Sequence, residues 1–348
     1  MLDLPDHDTL YTALLARDPA WEDRALVGVT TTGIFCRLTC PARKPLARNC
    51  RWFARPEDAL TAGFRPCRRC HPQSGAAEAA PWVGDLLDRL AERPHHRWTE
   101  GDLTAMGLDP STVRRAFRRI YGQSFLAMAR AARLRGGMAS LTRGAAVIEA
   151  QIEAGFDSAS GFRAAFARLF GHPPQRMRQA ADLLADWIDT PLGGMIAIAD
   201  GRSLHLLEFV DRKALPQGLR RLSAHVGGRI GLGRTAMHDL TGDWLAAFFR
   251  AQRPLPEVAV TLHGTPFQQQ VWQALRDIPP GQTRSYAQLA AAIGRPTAMR
   301  AVARANATNR IALIVPCHRV IGADGTLTGY AGGLWRKERL IAIERGYA

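Results

Sequence analysis

The sequence predicts a multi-domain α+β protein: a four-cysteine zinc domain first, an all-α middle with two helix-turn-helix units, and a C-terminal third that opens on strands and closes on helices. Three observations predict it. Two close cysteine pairs, Cys36-x3-Cys40 and Cys67-x2-Cys70, stand 26 residues apart. An arginine-bearing helical pattern beginning at Arg114 returns 49 residues later at Arg163. Met195 to Phe209 reads as two strands around an Asp-Gly turn.

Bulk properties bound the answer. A chain of 348 residues exceeds one small module, and a 47% apolar content fills several cores and excludes a disordered chain. No stretch approaches ~18 uninterrupted apolar residues, and the start, MLDLPDHD, is acidic where a secretory leader is basic. Neither a membrane span nor export is expected, and a cytoplasmic location is. The 46 Lys and Arg against 31 Asp and Glu leave a charge of +15, which calls for a polyanionic partner, most simply nucleic acid. Phe35 to His71 holds nine basic residues against two acidic, Ser111 to Arg143 eight against none, and Arg284 to Arg319 six against none. Three separate basic surfaces follow.

Of the six cysteines, Cys36, Cys40, Cys67 and Cys70 have the spacing of a tetrahedral thiolate zinc site, in which two pairs come from separate turns. Nothing supports the oxidising compartment that a disulfide framework needs. Cys50 lies outside the pairing and is expected to be a small buried residue. By spacing alone such a site is structural. Charge offers a second role: four thiolates leave Zn²⁺ with two negative charges in excess, among Arg37, Arg43, Lys44, Arg65, Arg68 and Arg69. Alkylating one thiolate would halve that excess and raise the attraction to DNA phosphate.

A small-residue linker, SGAAEAA from Ser74, leads to the repeat. Val113, Phe117 and Ile120 form one apolar stripe at i, i+4 and i+7, so Arg114, Arg115, Arg118 and Arg119 project from the other faces. Asp109 is the expected N-cap and Pro110 the N1 proline. With a preceding helix from about Glu100 this is a helix-turn-helix, whose second helix can enter a major groove. The second copy offers only Arg163 and Arg168. Beyond the strands at Met195, VAVTL from Val258 reads as another strand, and GGRIGLG from Gly227 as a turn rather than a phosphate cradle. Ser285 then caps a helix Tyr286 to Ile293, and a second helix starts at Ala298. On the latter, Arg300 and Arg304 interleave with Ala301 and Ala305, a face small enough to approach a minor groove closely.

Three segments carry a family resemblance. TTGIFCRLTCPAR from Thr31, with AGFRPCRRCHP from Ala62, resembles the zinc-binding methyl-acceptor domain of the Ada family, bacterial adaptive-response proteins to DNA methylation. The repeat, with AGFDS from Ala154 and GHPPQ from Gly171, resembles the AraC-type DNA-binding domain. PCHR at 316–319 resembles the active-site motif of the O6-alkylguanine-DNA alkyltransferases, with FQQQVW from Phe267, RAV from Arg300, Asn309 and GYAGG from Gly329 in the family's places. Together they cover nearly the whole chain in the order found in the Ada family. The resemblance implies a zinc methyl-acceptor domain over 1–75, an AraC-type double helix-turn-helix over 80–180, a ribonuclease-H-like α/β subdomain over 188–262 and a winged-helix-like alkyltransferase domain over 263–348.

It also implies roles. Cys36 takes a methyl group from a DNA methylphosphotriester, and Cys40, Cys67 and Cys70 complete the zinc site. Thr32, Arg43, Arg65 and Arg69 face DNA there, as Arg114, Arg115, Arg118 and Arg163 do in the middle. Cys317 takes methyl from O6-methylguanine and from O4-methylthymine. His318 deprotonates it through a water and Glu344 orients the imidazole. Tyr286 stabilises the leaving base, Asn309 braces the turn, and Tyr330 and Ala331 line the lesion pocket. Some relatives have a hydroxyl residue where Ala331 stands. Arg300 fills the stack after base flipping, and Arg304 joins it on DNA. One zinc ion, no S-adenosylmethionine, double-stranded DNA and RNA polymerase as partners, and a monomeric state complete the expectation. The rival is a zinc-stabilised transcription factor with an inactive alkyltransferase-like domain, against which Cys317, His318, Asn309 and Glu344 all stand.

Overall fold

A computed structural model of the chain describes residues 4–21, 24–54, 56–67, 70, 72, 81–179, 181–227, 229–250 and 257–345. It divides into two compact units, Met1–Gly84 and Asp85–Ala348. No helix among the described residues is long and apolar enough to cross a membrane.

In the first unit, α1 (His7–Ala16) starts at Asp6, whose carboxylate accepts from the backbone N–H of Asp8 and Thr9 at 3.0 and 2.9 Å. A sheet follows, made of β1 (Leu26–Val29), β2 (Ile34–Arg37), β3 (Cys50–Phe53) and β4 (Arg65–Pro66), with α2 (Pro56–Thr61) between the last two. Their order is β3-β1-β2-β4, antiparallel except for the parallel β2 and β4. One face packs Leu10 and Leu14 of α1 on Val27 and the cysteines. The other packs Phe35, Phe53 and Phe64. Gly28 is the pivot of that second face, because a Cβ there would come within 2.7 Å of the Phe53 ring.

α3 (Pro81–Glu92) carries the chain past Gly84, and the second unit goes on with α4 (Glu100–Ala105), α5 (Pro110–Tyr121) and α6 (Phe125–Thr142), then α7 (Val147–Glu153), α8 (Ala159–Phe170) and α9 (Pro174–Met177). The repeat extends to the ends of its helices. Asp109 and Ser158 are the N-caps of α5 and α8, and Gly122 and Gly171 end them in the left-handed conformation at φ 69° and 74°. Val113 and Phe117 are buried, as are Phe162 and Phe166 at the matching positions.

The strands come next: β5 (Leu183–Ile188), β6 (Met195–Ala199), β7 (Leu204–Phe209), then α10 (Leu215–Val226), β8 (Ile230–Leu232) and α11 (Ala236–Phe249). The sheet order is β7-β6-β5-β8, with β8 parallel to β5 and the other pairs antiparallel. The Asp-Gly hairpin is therefore correct. β5 carries no clear alternation in the sequence, since Asp186 is the one polar residue in LLADWI. VAVTL corrects to a single bridge, Val260 with Leu204, because its backbone pairs with that one residue before Thr265 caps the next helix. The glycine-rich run ends α10 at Gly227 and then enters β8, so part of it is strand rather than turn.

Every residue of β6 and β7 is buried, as for a sheet covered on both faces. Met195, Ala197, Leu207 and Phe209 face the C-terminal helices. Ile196, Ile198 and Leu206 face Met138, Leu141, Phe166 and Phe170 of the helix-turn-helix region. The second helix-turn-helix and the sheet therefore share one core.

The remaining elements are α12 (Pro266–Arg276), β9 (Arg284–Ser285), α13 (Tyr286–Ala292), α14 (Met299–Ala307), β10 (Val320–Ile321) and α15 (Leu334–Arg345). The C-terminus of α5 meets the start of α15: the Tyr121 and Trp335 rings lie edge to face at 6.2 Å, and any Cβ at Gly122 would overlap the Trp335 indole. Gly122→Ala combines that overlap with a positive φ and is expected to cost about 1–3 kcal/mol in urea unfolding. An unchanged midpoint would show that α5 and α15 are not held together.

Candidate functional site: two cysteine centres

The first centre follows from the register of four short strands. Cys36 sits on β2 opposite Val27, and the parallel pairing of β2 with β4 continues as a bond from Cys67 N–H to the Phe35 carbonyl at 3.0 Å. Both cysteine pairs thus converge: the sulfurs of Cys36, Cys40, Cys67 and Cys70 lie within 4.8 Å of one another, the first three buried. Arg37 N–H donates to Cys70 Sγ at 3.4 Å. Crowding fixes the electrostatics. The hydrogen bond with Cys70, then burial and neighbouring sulfurs, push the Cys36 thiol far up. Burial pushes Cys40 up to about 11, whereas the bond from Cys36 brings Cys70 down to about 5. Four soft donors at this separation, holding little charge unaided, fit one tetrahedral dication. Cys50 stands apart and corrects to half-buried, its thiol donating to the Leu46 carbonyl at 3.5 Å.

Beside the cluster opens a cavity of about 880 Å³ lined by Cys36, Thr32, Arg43, Lys44 and Arg65 among others. Thr32, Arg43 and Arg65 are exposed. Arg69 lies outside the described residues.

The second centre is built at the end of α14. Asn309 Nδ2 donates to the Val315 carbonyl at 2.8 Å and to Cys317 Sγ at 3.2 Å, and its Oδ1 accepts from Ile311 N–H at 3.0 Å. The turn between is tight enough that buried Leu313 adopts φ 68°. Cys317 is 7% exposed and His318 wholly buried. His318 Nε2 meets Glu344 Oε1 at 2.9 Å, which makes it the protonated nitrogen and leaves Nδ1, buried and without a partner among the described residues, as the acceptor. Burial pushes His318 down, so the ring is neutral at rest. Burial also pushes the Cys317 thiol up, against the Asn309 hydrogen bond and the charges of Arg212 and Lys337.

Arg319 is the residue that sequence reading passed over. Its guanidinium forks onto Glu344 at 2.9 and 2.7 Å, and a further N–H reaches the Ile278 carbonyl. Its position in PCHR was the available signal. Burial raises the Glu344 carboxyl, but the bonds from His318 and Arg319 outweigh it and hold the group down to about 2. Tyr286 and Tyr330 also stand here, both phenols pushed up chiefly by burial. Tyr330 and Ala331 line, with Cys317 and Asn309, a cavity of only about 10 Å³, room for one water.

On α14, Arg300 and Arg304 are exposed together with Ala301, but Ala305 turns inward at 2% exposure. Trp272 Nε1 donates to the Ala305 carbonyl at 2.9 Å, so this position packs and the small face is Ala301 with Ala307. On α5, Arg115 and Arg118 are exposed, and Arg114 pairs with Glu100 at the surface, a weak tether. Arg163 on α8 is exposed.

Three family models match the chain. The metal binding domain of Ada matches residues 9–73, a helix-turn-helix domain 103–180, and the DNA binding domain of 6-O-methylguanine DNA methyltransferase 266–346. The bifunctional transcriptional activator/DNA repair enzyme Ada of Escherichia coli is 36% identical over 97% of this chain and 96% of its own length. The regulatory protein ada of Salmonella typhimurium is 33% identical over the same shares. Among solved structures, the O6-methylguanine methyltransferase of Mycobacterium tuberculosis is 39% identical over 48% of this chain and 94% of its own, with a TM-score of 0.42. The four-cysteine cluster is a zinc site. With three domain matches in order and such identity over nearly its full length, the chain belongs to the Ada family.

Proposed function

We propose that the chain is a single-use methyl acceptor for damaged DNA that doubles as a transcriptional activator. Cys317 takes methyl from O6-methylguanine, and from O4-methylthymine. Cys36 takes it from a DNA methylphosphotriester, and that event turns on sequence-specific promoter binding through α5 and α8. The observation that carries the reading is the Asn309–Cys317 and His318–Glu344 pairing, buried as a unit in a chain that also gathers four thiols beside an open basic cavity. The protein works as a cytoplasmic monomer on double-stranded DNA and engages RNA polymerase at the promoter.

At Cys317 the thiol proton passes through a water to His318 Nδ1, and Glu344 balances the imidazolium. A sulfur–carbon bond forms as the methyl–O6 bond breaks, and its electron pair stays on the base. Tyr286 protonates the leaving guanine and is reprotonated from the imidazolium, so the thiol proton ends on guanine. Because the cavity is too small for a base, entry displaces the segment Gly329 to Gly332. Arg300 fills the vacated stack.

At the first centre bound zinc keeps the sulfurs ionised near neutral pH. Cys36 attacks the methyl carbon of the neutral triester, the carbon–oxygen bond breaks, and the electron pair leaves on the phosphodiester; no proton moves. Thr32, Arg43 and Arg65 hold the backbone at that cavity. The excess negative charge falls by one, so promoter affinity rises, and the gain shrinks with salt.

Peptide mass spectrometry after separate incubation with the two methylated DNAs tests both assignments. One methyl on Cys317 is expected from O6-methylguanine DNA and one on Cys36 from the methylphosphotriester, and Cys317→Ala or Cys36→Ala should each abolish only its own transfer. Methyl elsewhere, or nowhere, sinks the respective assignment.

A further inference from the structure

The turn after β7 carries a buried ion pair that sheet packing does not require. Glu208, 3% exposed, stands near the end of β7, and Arg212, four residues on, folds back to pair with it. The same guanidinium reaches out of the sheet to the end of α14. One N–H donates to the Asn309 carbonyl at 2.9 Å and another to the Ala307 carbonyl at 2.8 Å. Asn309 is the residue whose amide touches Cys317 Sγ. Arg212 also lines the small cavity together with Cys317 and Tyr330. Next to it, Asp211 pairs at 3.0 Å with buried Arg336, which holds the Gly332 carbonyl of the opposite wall at 2.8 Å. One turn therefore grips both walls of the pocket.

Burying a charge is costly, and an apolar residue of similar volume would fill this space at less expense to stability. What apolar side chains cannot do is donate to carbonyls, and lysine brings a single rotating nitrogen where arginine brings two in a fixed planar fork. We propose that Arg212 is a positioning residue for methyl acceptance: it fixes the Asn309 amide against the Cys317 sulfur and sets a fixed positive charge beside the thiolate that forms there. This rests on the reading of Cys317 as the acceptor.

The other titratable groups near Cys317 among the described residues are Lys337 from α15, His318 beside it with Glu344 behind the ring, Tyr286 from α13 and Tyr330 from the loop. Lys337, brought down to about 8 by burial, is a second cation beside the thiol whose own charge changes with pH, so only the difference between variant and parent isolates Arg212.

The experiment uses the full zinc-loaded chain and two readouts. The first is the pH profile of Cys317 alkylation by iodoacetamide, followed on its own peptide; the second is single-turnover methyl transfer from an O6-methylguanine duplex. The charge-balanced double variant Glu208→Leu/Arg212→Met is expected to move the alkylation profile about one pH unit to the alkaline side and to slow transfer about tenfold or more. Arg212→Lys keeps the charge and loses the fork, so it should hold the profile and still slow transfer. If the double variant does not fold, Arg212→Lys decides alone, and parental transfer by it overturns the proposal. A folded double variant with the parental profile and rate overturns it as well. Failure of the parent chain to take methyl from the duplex would instead refute the acceptor reading, while the iodoacetamide profiles would still report whether Arg212 tunes the thiol.

Discussion

Removing zinc with a chelator is expected to unfold the Met1–Gly84 unit and to leave Cys317 competent. Of the nine buried residues in its principal core, three are the cysteines Cys36, Cys40 and Cys67. Its strands are two to four residues long, too short to stand without that core. Without the cation the cluster holds one charge, on Cys70, and hydrogen bonding and burial keep Cys36 and Cys40 protonated, so the four sulfurs lose their common partner. Structural zinc binding is worth about 10–16 kcal/mol near neutral pH, as large as the ~5–15 kcal/mol by which a typical domain is stable. Hydrogen exchange should show loss of protection over β1, β2 and β3 after chelation and its return with Zn²⁺. Methyl transfer to Cys317 in the same sample should continue. Protection that persists in β1 to β3 without metal would mean that the hydrophobic contacts alone hold the unit.

Glu344→Gln is expected to be the most damaging single change in the second unit. The carboxylate answers three partners at once, His318, the forked guanidinium of Arg319 and the Gly281 backbone N–H. A neutral amide leaves Arg319 buried without a counter-charge, at a cost of about 3–5 kcal/mol. It also withdraws the charge that stabilises the imidazolium, so transfer to Cys317 should fall by about a hundredfold or more. The pH dependence has a definite sign. The folded carboxyl titrates at about 2, below its ordinary 4.5, so its contribution is complete above 4.5 and is lost as pH falls toward 2. The parent should lose stability across that window, and the glutamine variant should show a flatter acid limb. Parallel acid limbs would mean that the ion pair contributes nothing to the folded state.

Much of the site was legible because its signals are local. Metal spacing depends on two turns, so CxxxC and CxxC announced the four sulfurs that the sheet brings within 4.8 Å. Caps are equally local, and Asp109, Pro110 and Ser285 mark helix starts where they were expected. PCHR and Asn309 lie eight residues apart along one turn, and their contact follows from that turn.

Other features were illegible because their meaning is set by distant partners. The inward turn of Ala305 is decided by Trp272, 33 residues away. Arg212 looks like a surface arginine until the turn after β7 brings it to carbonyls 95 and 97 residues further on. Arg336 looks solvated on its helix, yet it is 2% exposed, stacked on Phe209 and paired with Asp211.

By itself, then, the sequence determined the order of the parts and the four-cysteine cluster, which is encoded in short-range spacing, while family resemblance singled out Cys317. Only the tertiary structure decided that the second helix-turn-helix shares a core with the β-sheet, that Arg319 completes the Glu344 site, and that the charge at Arg212 points inward. Burial and ion pairing are properties of the assembled surfaces, and +15 spread over 348 residues does not say which arginines meet DNA and which meet the protein itself.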